Sequence, residues 1–382
     1  MGYEINLGNE EWATGQGGMA TTVTDTDTGV KEALLMGCDR NSNKTAVNKD
    51  GLLYDVLPYE PSVTYVDGVG VLNNEPQAEQ LMPNSGWLGG SFPATGWGAS
   101  GASAQPYQSN KYSSVFKYNF INSSYMNYPV SVVSGNKYTF SCFVEDVVIT
   151  DQIANIIRAM HSGTKTYYKN GVEVVLTDNV EAGNFYSIVL ESDTTESQNF
   201  RCGLGVTDSS TTSNVSVCMP QVEEGEKRTS FILSPIGSTY TRFADTGFQT
   251  PDISKWIDSS NLLFGSICSS FANGGKERQI RLTNLDSSSF ISLRFSPNIN
   301  EVRLLVRSNG SNIISLAYNG LDQTIKRDYR IEANSSGFKM YADDVLLITD
   351  STPNPFTDLS VIDLGTGADV FEGQIEQIKI TS

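Results

Sequence analysis

The sequence predicts an all-β protein: an N-terminal arm followed by two β-sandwich domains. Three observations carry that prediction. Apolar and β-branched residues alternate with polar ones in runs of roughly 5–8 residues, the period of a half-buried strand. Gly, Pro, Asn and Asp break these runs at roughly 8–12-residue intervals, as in sandwiches. The composition fits too: 34 Gly supply turns, and 39% hydrophobic with 10% aromatic residues can fill real cores. A chain of 382 residues suits two or three domains.

Residues 1–50 are weakly patterned. TTVTDTDTGVKEALLMG alternates Thr and Asp before a brief apolar patch, Ala33–Met36. Extended or loosely ordered chain is expected, an arm for attachment. Residues 51–86 form a connector of short strands and tight turns. Pro58, Pro61, Pro76 and Pro83 block continuous helix there. Residues 87–246 read as a jelly-roll sandwich. After a Gly-rich loop come SSVFKYNFI, KYTFSCFVE, TKTYYKNGVEVVLT, NFYSIVLE, NFRCGLGVT and NVSVCMPQVEEG. Asn170-Gly171 inside TKTYYKNGVEVVLT, between its two strand-like halves, predicts a type I′ hairpin. The domain's single expected helix is Asp151–Met160, where Ile153, Ile156, Ile157 and Met160 recur at helical spacing. Residues 247–382 form a second sandwich, with another hairpin at Asn309-Gly310. No period of 20–50 residues repeats, which excludes a solenoid.

Charge narrows the partners. Lys and Arg number 26 against 43 Asp and Glu, a net charge of −17. Such a chain repels polyanions, so nucleic acid and anionic membrane surfaces are not expected partners. No apolar run is long enough to cross a bilayer. The polar, acidic stretch Met1–Glu10 has no apolar signal core, so cytoplasmic synthesis without a signal peptide is expected. Cys38, Cys142, Cys202, Cys218 and Cys268 are odd in number and widely spaced, as expected of free, mostly buried thiols.

Catalytic chemistry finds little footing. His161 is the only histidine, expected in a surface loop, and no nucleophile motif lies beside it. Zinc would need more His or Cys ligands than cluster here. GQGG (Gly15–Gly18) lacks the context of a phosphate loop. A pair of carboxylates, as glycosidases use, stays open, but no E-x-D-x-x-E strand is present. The expectation is a protein that is not an enzyme and needs no cofactor. The acidic loops Ala342–Asp344 and Asp363–Asp369 offer oxygen ligands for Ca²⁺, but without EF-hand spacing they read as turns.

A sugar site on a sandwich pairs an aromatic ring, which packs the C–H face, with groups that hydrogen-bond the hydroxyls. Trp87, Trp97, Tyr107, Tyr112, Tyr125 and Tyr128 crowd one segment and form the candidate platform. The competing reading puts Trp87 and Trp97 in the sandwich core, and Trp256 in the core of the second domain.

Three segments resemble bacteriophage structural proteins of the tail, fibre or head-fibre type. In that family a Pro-Arg-x-Asp-Tyr-x-Asp-Gly motif runs into Leu-Leu-x-Glu-Pro-Gln-x-Thr-Asn-Leu. Here Tyr65, Asp67, Gly68, Glu75, Pro76, Gln77 and Leu81 match; Ser62 and Thr64 replace the Arg and Asp, and Glu79-Gln80 the Thr-Asn pair. SGNKYTFSCFVE is similar to the central strand of that family's carbohydrate-binding-module-like jelly roll. Met219–Asp245 is similar to its exit segment, with Gln221, Glu223, Gly225, Thr229, Ser230, Ile232, Thr241, Arg242, Ala244 and Asp245 matching. Arg242 has acidic neighbours, Glu223, Glu224, Glu226 and Asp245, to pair with at the surface. The C-terminal domain resembles a concanavalin- or laminin-G-like sandwich, in its strand count and its closing FEGQIEQIKI.

The resemblance implies a non-enzymatic virion protein, a tail or head fibre or decoration subunit adhering to host-surface glycans. It implies a location on the virion surface, other virion proteins as partners, and a homo-oligomer, by analogy a trimer. The alternatives are a dedicated carbohydrate-binding receptor adhesin and a glycan-cleaving enzyme on a concanavalin-like fold.

Overall fold

The computed structural model describes residues 2–6, 12–15, 18–25, 28–38, 40–101, 104–207, 210, 212–242, 244–245, 249–254, 257–270, 277–296, 300–364 and 371–381. The protein is all-β, and among the described residues there is no α-helix. It divides into two compact units. One comprises residues 1–51, 55–76 and 243–382; the other comprises 52–54 and 77–242.

The first unit is a sandwich of two antiparallel sheets. The larger runs in the order Trp12–Gly15, Gly18–Asp25, Gly2–Asn6, Gly373–Thr381, Leu262–Ser270, Arg327–Asn334, Gly337–Ala342 and Val345–Asp350. Lys31–Gly37 pairs with Gly18–Asp25, and the hairpin Val63–Val66/Val69–Asn74 joins through Gly373–Thr381. The smaller sheet runs Ser311–Asn319, Glu301–Ser308, Phe290–Phe295, Arg278–Thr283, Val361–Asp363. Their inner faces close on one core. Phe264, Tyr329, Ile331 and Phe338 come from the larger sheet, and Ile280, Leu293, Phe295 and Leu304 from the smaller.

This arrangement corrects the expected N-terminal arm. Gly2–Asn6 pairs with Gly373–Thr381 along its whole length, and Ile5 and Met19 are buried in the sandwich core. The segment is a set of sheet strands because an open edge along Gly373–Thr381 would leave a row of backbone groups unpaired. The expected linear series of arm, connector and sandwich is likewise replaced. Residues 1–51 and 55–76 belong to the same unit as the C-terminal strands.

A buried ion cluster holds this unit's segments together. Arg40 Nη1 donates to Asp245 Oδ1 at 2.6 Å, and Lys44 Nζ to Asp245 Oδ2 at 2.7 Å. Lys44 also pairs with Glu75 at 2.9 Å, and the Glu75 amide donates to Asp245 Oδ2 at 2.9 Å. The Arg40 guanidinium is completed by the carbonyls of Ser42 and Leu57. All four side chains are buried, so each charge depends on the others.

The second unit is also a sandwich. A seven-stranded sheet runs Gln105–Gln108, Phe116–Ile121, Asn214–Glu224, Lys137–Ile149, Asn184–Ser192, Gly163–Lys169, Val172–Val174. A four-stranded sheet runs Gly98–Ser100, Tyr125–Val132, Glu196–Gly203, Ile157–Ala159. Between them lie Phe120, Phe140, Tyr186 and Ile188 from the first sheet, and Met126, Val130, Phe200 and Cys202 from the second.

The expected helix Asp151–Met160 is a 3₁₀ turn, Ile153–Asn155, running into the strand Ile157–Ala159. Ile153, Ile156 and Ile157 are buried as their spacing implied. That spacing also suits a tight turn followed by a strand, and β-branched residues favour the strand. The hairpins form at the residues that signal them. Asn170-Gly171 and Asn309-Gly310 both take positive φ, 48° and 83° in the first and 48° and 79° in the second. All five cysteines are free and buried. Burial alone pushes the Cys142 thiol up to about 12.

His161 is buried at 1% exposure, which corrects its expected place in a surface loop. Its Nε2 donates to the Val130 carbonyl at 2.8 Å, its ring lies 5.2 Å from that of Phe140, and Nδ1 has no hydrogen-bond partner. Burial holds its pKa below the ordinary histidine value. Above the unfolded-state value near 6.5 the ring is neutral in both states, and its contribution to stability is intact. Below it the unfolded chain binds a proton that the folded chain resists, so stability falls. His161→Gln, which keeps an N–H for Val130, should therefore flatten the decline in unfolding free energy between pH 7 and 5.5. Urea titrations across that range check this; an unchanged slope would contradict it.

Candidate functional site

The six aromatics of the expected sugar platform do not form one. Trp87 is 0% and Trp97 4% exposed. Trp87 sits edge-on to Trp97, Tyr118 and Phe120, with centroids 5.5, 5.3 and 6.2 Å away. Tyr128, half-buried, lies against Trp97 at 5.6 Å. These rings close the sandwich core of the second unit. Tyr112 is buried in a separate apolar cluster with Val115, Phe143, Cys218, Met219 and Phe231. Tyr107 is 52% exposed on the edge strand Gln105–Gln108. Only Tyr125 lies on a polar sheet face, and there it is covered. An aromatic-rich segment cannot by itself distinguish rings that seal a core from rings that meet solvent.

The motif residues of the phage resemblance are mostly internal supports. Asp67 and Gly68 make the tight turn between two strands, with φ of 51° and 81°, and Tyr65 is half-buried just before it. Glu75 and Asp245 belong to the buried ion cluster; Pro76 is half-buried and Gln77 exposed. Thr64 accepts the Val47 amide at 3.1 Å, whereas the buried Ser62 hydroxyl has no partner. In the exit segment Glu223 accepts from the Thr229 hydroxyl at 2.8 Å, and Gln221 Oε1 from the Ile232 amide at 2.7 Å. Arg242 is fully buried and donates to Ser230 Oγ at 2.8 Å, which corrects its expected place at the surface.

Among the described residues no group of three His, Cys, Asp or Glu side chains converges at the acidic turns. Asp343 and Asp344 form a hairpin tip and spend their carboxylates on Arg327 at 2.6 Å and Arg330 at 3.0 Å. Trp256 and residues 365–370 of the other acidic loop lie outside the described residues.

A different constellation emerges on the outer face of the four-stranded sheet. Met126, Val130, Phe200, Cys202, Ile157 and Ala159 point into the core. By strand alternation Tyr125, Asn127, Arg201 and Arg158 point the other way. Register sets Gly98 opposite Asn127, Asn127 opposite Arg201, and Arg201 opposite Arg158. The result is a polar row across four strands, about 14 Å long at the usual strand spacing. At one end the Asn127 amide packs over Gly98, where a β-carbon would lie 2.8 Å from Asn127 Oδ1. Tyr125 lies beneath Arg201, whose guanidinium is 5.0 Å from the ring and donates to the Val206 carbonyl at 3.1 Å. Asn127, Arg201 and Arg158 are half-buried, so each is held in place yet reachable.

This face holds an amide and two half-buried guanidiniums, with the amide lying over a glycine. Such a set can hydrogen-bond vicinal hydroxyls or a carboxylate. Composition could not reveal it, because the residues come from strands far apart in sequence. The only signal was the alternation of YMNYPVSV and NFRCG.

Two solved structures resemble parts of this chain. One is the carbohydrate-binding module CBM66 from Bacillus subtilis, at 17% identity and a TM-score of 0.27, covering 35% of this chain and 87% of that one. The other is a Bacillus licheniformis β-glucanase, at 13% identity and a TM-score of 0.28, covering 37% and 72%. No family profile and no curated protein matches the sequence.

Proposed function

We propose that this protein is a non-enzymatic glycan-binding component of a bacteriophage particle, and that the outer face of the four-stranded sheet contacts the glycan. One observation carries the binding reading: the row Gly98, Asn127, Arg201 and Arg158, polar and reachable on a rigid sheet. Rigid placement of a few polar groups is what sugar recognition requires. The buried carboxylates support a role without catalysis. Glu75, Asp245, Asp363 and Glu372 are each tied to a cation. The virion role, a place on the particle surface and a trimeric assembly rest on the motif resemblance. Repeated copies of a weak site would gain avidity there.

Affinity electrophoresis of the full chain through gels containing bacterial surface polysaccharides tests the binding reading. Retardation by at least one polysaccharide is expected, and Asn127→Ala should lower affinity about tenfold, the worth of a good hydrogen-bond pair. Uniform migration in every gel, or an Asn127→Ala protein retarded like the parent, would refute it. Mass spectrometry of purified particles tests the virion assignment, which fails if the chain is missing from them.

A further inference from the structure

We infer that the first unit pairs with a second copy of this chain through the open edge strand Ser311–Asn319. The strand ends the smaller sheet, with Glu301–Ser308 paired along its inner edge. Seven of its nine residues are exposed, Ile313 and Leu316 among them. A free strand edge is a template for another strand, and proteins guard such edges with shortness, charge or proline. Other edges here are guarded. Gln105–Gln108 contains Pro106, while Val172–Val174 and Ile157–Ala159 have three residues and one charge each. Ser311–Asn319 is about 30 Å long and contains neither a charge nor a proline. Its bulge against Glu301–Ser308 lies near its start, between Asn312 and Ile314, and leaves Ile314–Asn319 in regular register.

The strand's own sequence selects a copy of itself as the partner. SNIISLAYN is nearly palindromic about Ser315. An antiparallel copy centred there sets Ile314 against Leu316, Ile313 against Ala317 and Ser311 against Asn319, each pair repeated about a two-fold axis. Ile314 is buried in the sandwich core, and by alternation Leu316 shares its face while staying 36% exposed. Pairing brings Ile314 of one copy beside Leu316 of the other and so continues the apolar face from one copy to the next. Charge favours the same place. Two copies with a net charge of −17 repel one another, and an uncharged strip is where they can meet. Val345 and Leu346, 61% and 50% exposed on the neighbouring edge strand of the larger sheet, widen that strip. The contact uses the first unit and none of the strands of the proposed glycan face. It joins copies two by two, alongside the three-fold assembly proposed for the particle.

Analytical ultracentrifugation of the full chain over a dilution series, with hydrogen–deuterium exchange at both ends of the series, tests the inference. Dimers should form as the concentration rises, and exchange in Ser311–Asn319 should slow with them. Ser315→Lys and Ser315→Glu each set like charges against one another at the axis and should weaken association about fivefold or more. An equimolar mixture of the two variants should associate at least as tightly as the parent, which also shows that both fold. A chain that stays monomeric, or association that leaves exchange in Ser311–Asn319 unchanged, would overturn the inference. So would Ser315 variants that self-associate as tightly as the parent, or a mixture no tighter than either variant alone. Each of these results leaves the glycan-binding reading standing, because that reading rests on the other unit.

Discussion

Trp87→Ala should destabilise the second unit by about 3–5 kcal/mol, the usual cost of emptying a large aromatic site in a core. The side chain is fully buried and touches three other rings edge-on, so neighbouring side chains cannot fill the void without leaving their own contacts. Its Nε1 has no hydrogen-bond partner. Trp87→Phe therefore gives up apolar area but no hydrogen bond, and should cost well under half as much. Chemical denaturation of both variants separates the core role from the platform role. A platform tryptophan would lower glycan affinity with a stability change within about 0.5 kcal/mol, as surface substitutions do.

Asp245→Asn should cost about 3–5 kcal/mol in the first unit, the range for removing one partner of a buried ion pair. The carboxylate accepts from Arg40, Lys44 and the Glu75 amide at once. With an amide in its place Lys44 keeps Glu75, but Arg40 keeps only backbone carbonyls and its charge stays buried. Arg40→Met combined with Asp245→Leu should recover part of the loss, because both charges leave together. Denaturation monitored by a probe in the first unit checks this. A loss below about 1 kcal/mol for the single variant would mean that water reaches the cluster.

The all-β architecture was legible because strand periodicity and turn chemistry are local. Asn170-Gly171, Asn309-Gly310 and Asp67-Gly68 turn where they do because positive φ suits those residues. The errors arose where a pattern has two local solutions or a distant partner. Ile153, Ile156 and Ile157 fit a helix face and equally a turn entering a strand. The N-terminal strands looked like a loose arm because their partner, Gly373–Thr381, is at the other end of the chain.

The candidate site followed the same logic. Arg201 could be seen in the sequence, but its alignment with Arg158 and Asn127 is a matter of strand register, which no spacing encodes. The aromatic segment, by contrast, was conspicuous and turned out to be mostly core. Chemistry in a β-sandwich face is assembled across strands, so its residues are scattered, whereas a core can be built from neighbours.

The central claim is that the outer face of the four-stranded sheet meets the ligand. Hydrogen–deuterium exchange of the full chain, with and without the polysaccharide that retards it, tests this most directly. The account predicts slowed exchange in Gly98–Ser100, Tyr125–Val132, Ile157–Ala159 and Glu196–Gly203, with the strands of the first unit unchanged. Slowed exchange confined to Phe290–Phe295 and Glu301–Ser308, or to any other part of the first unit, would contradict it and move the site to the other sandwich.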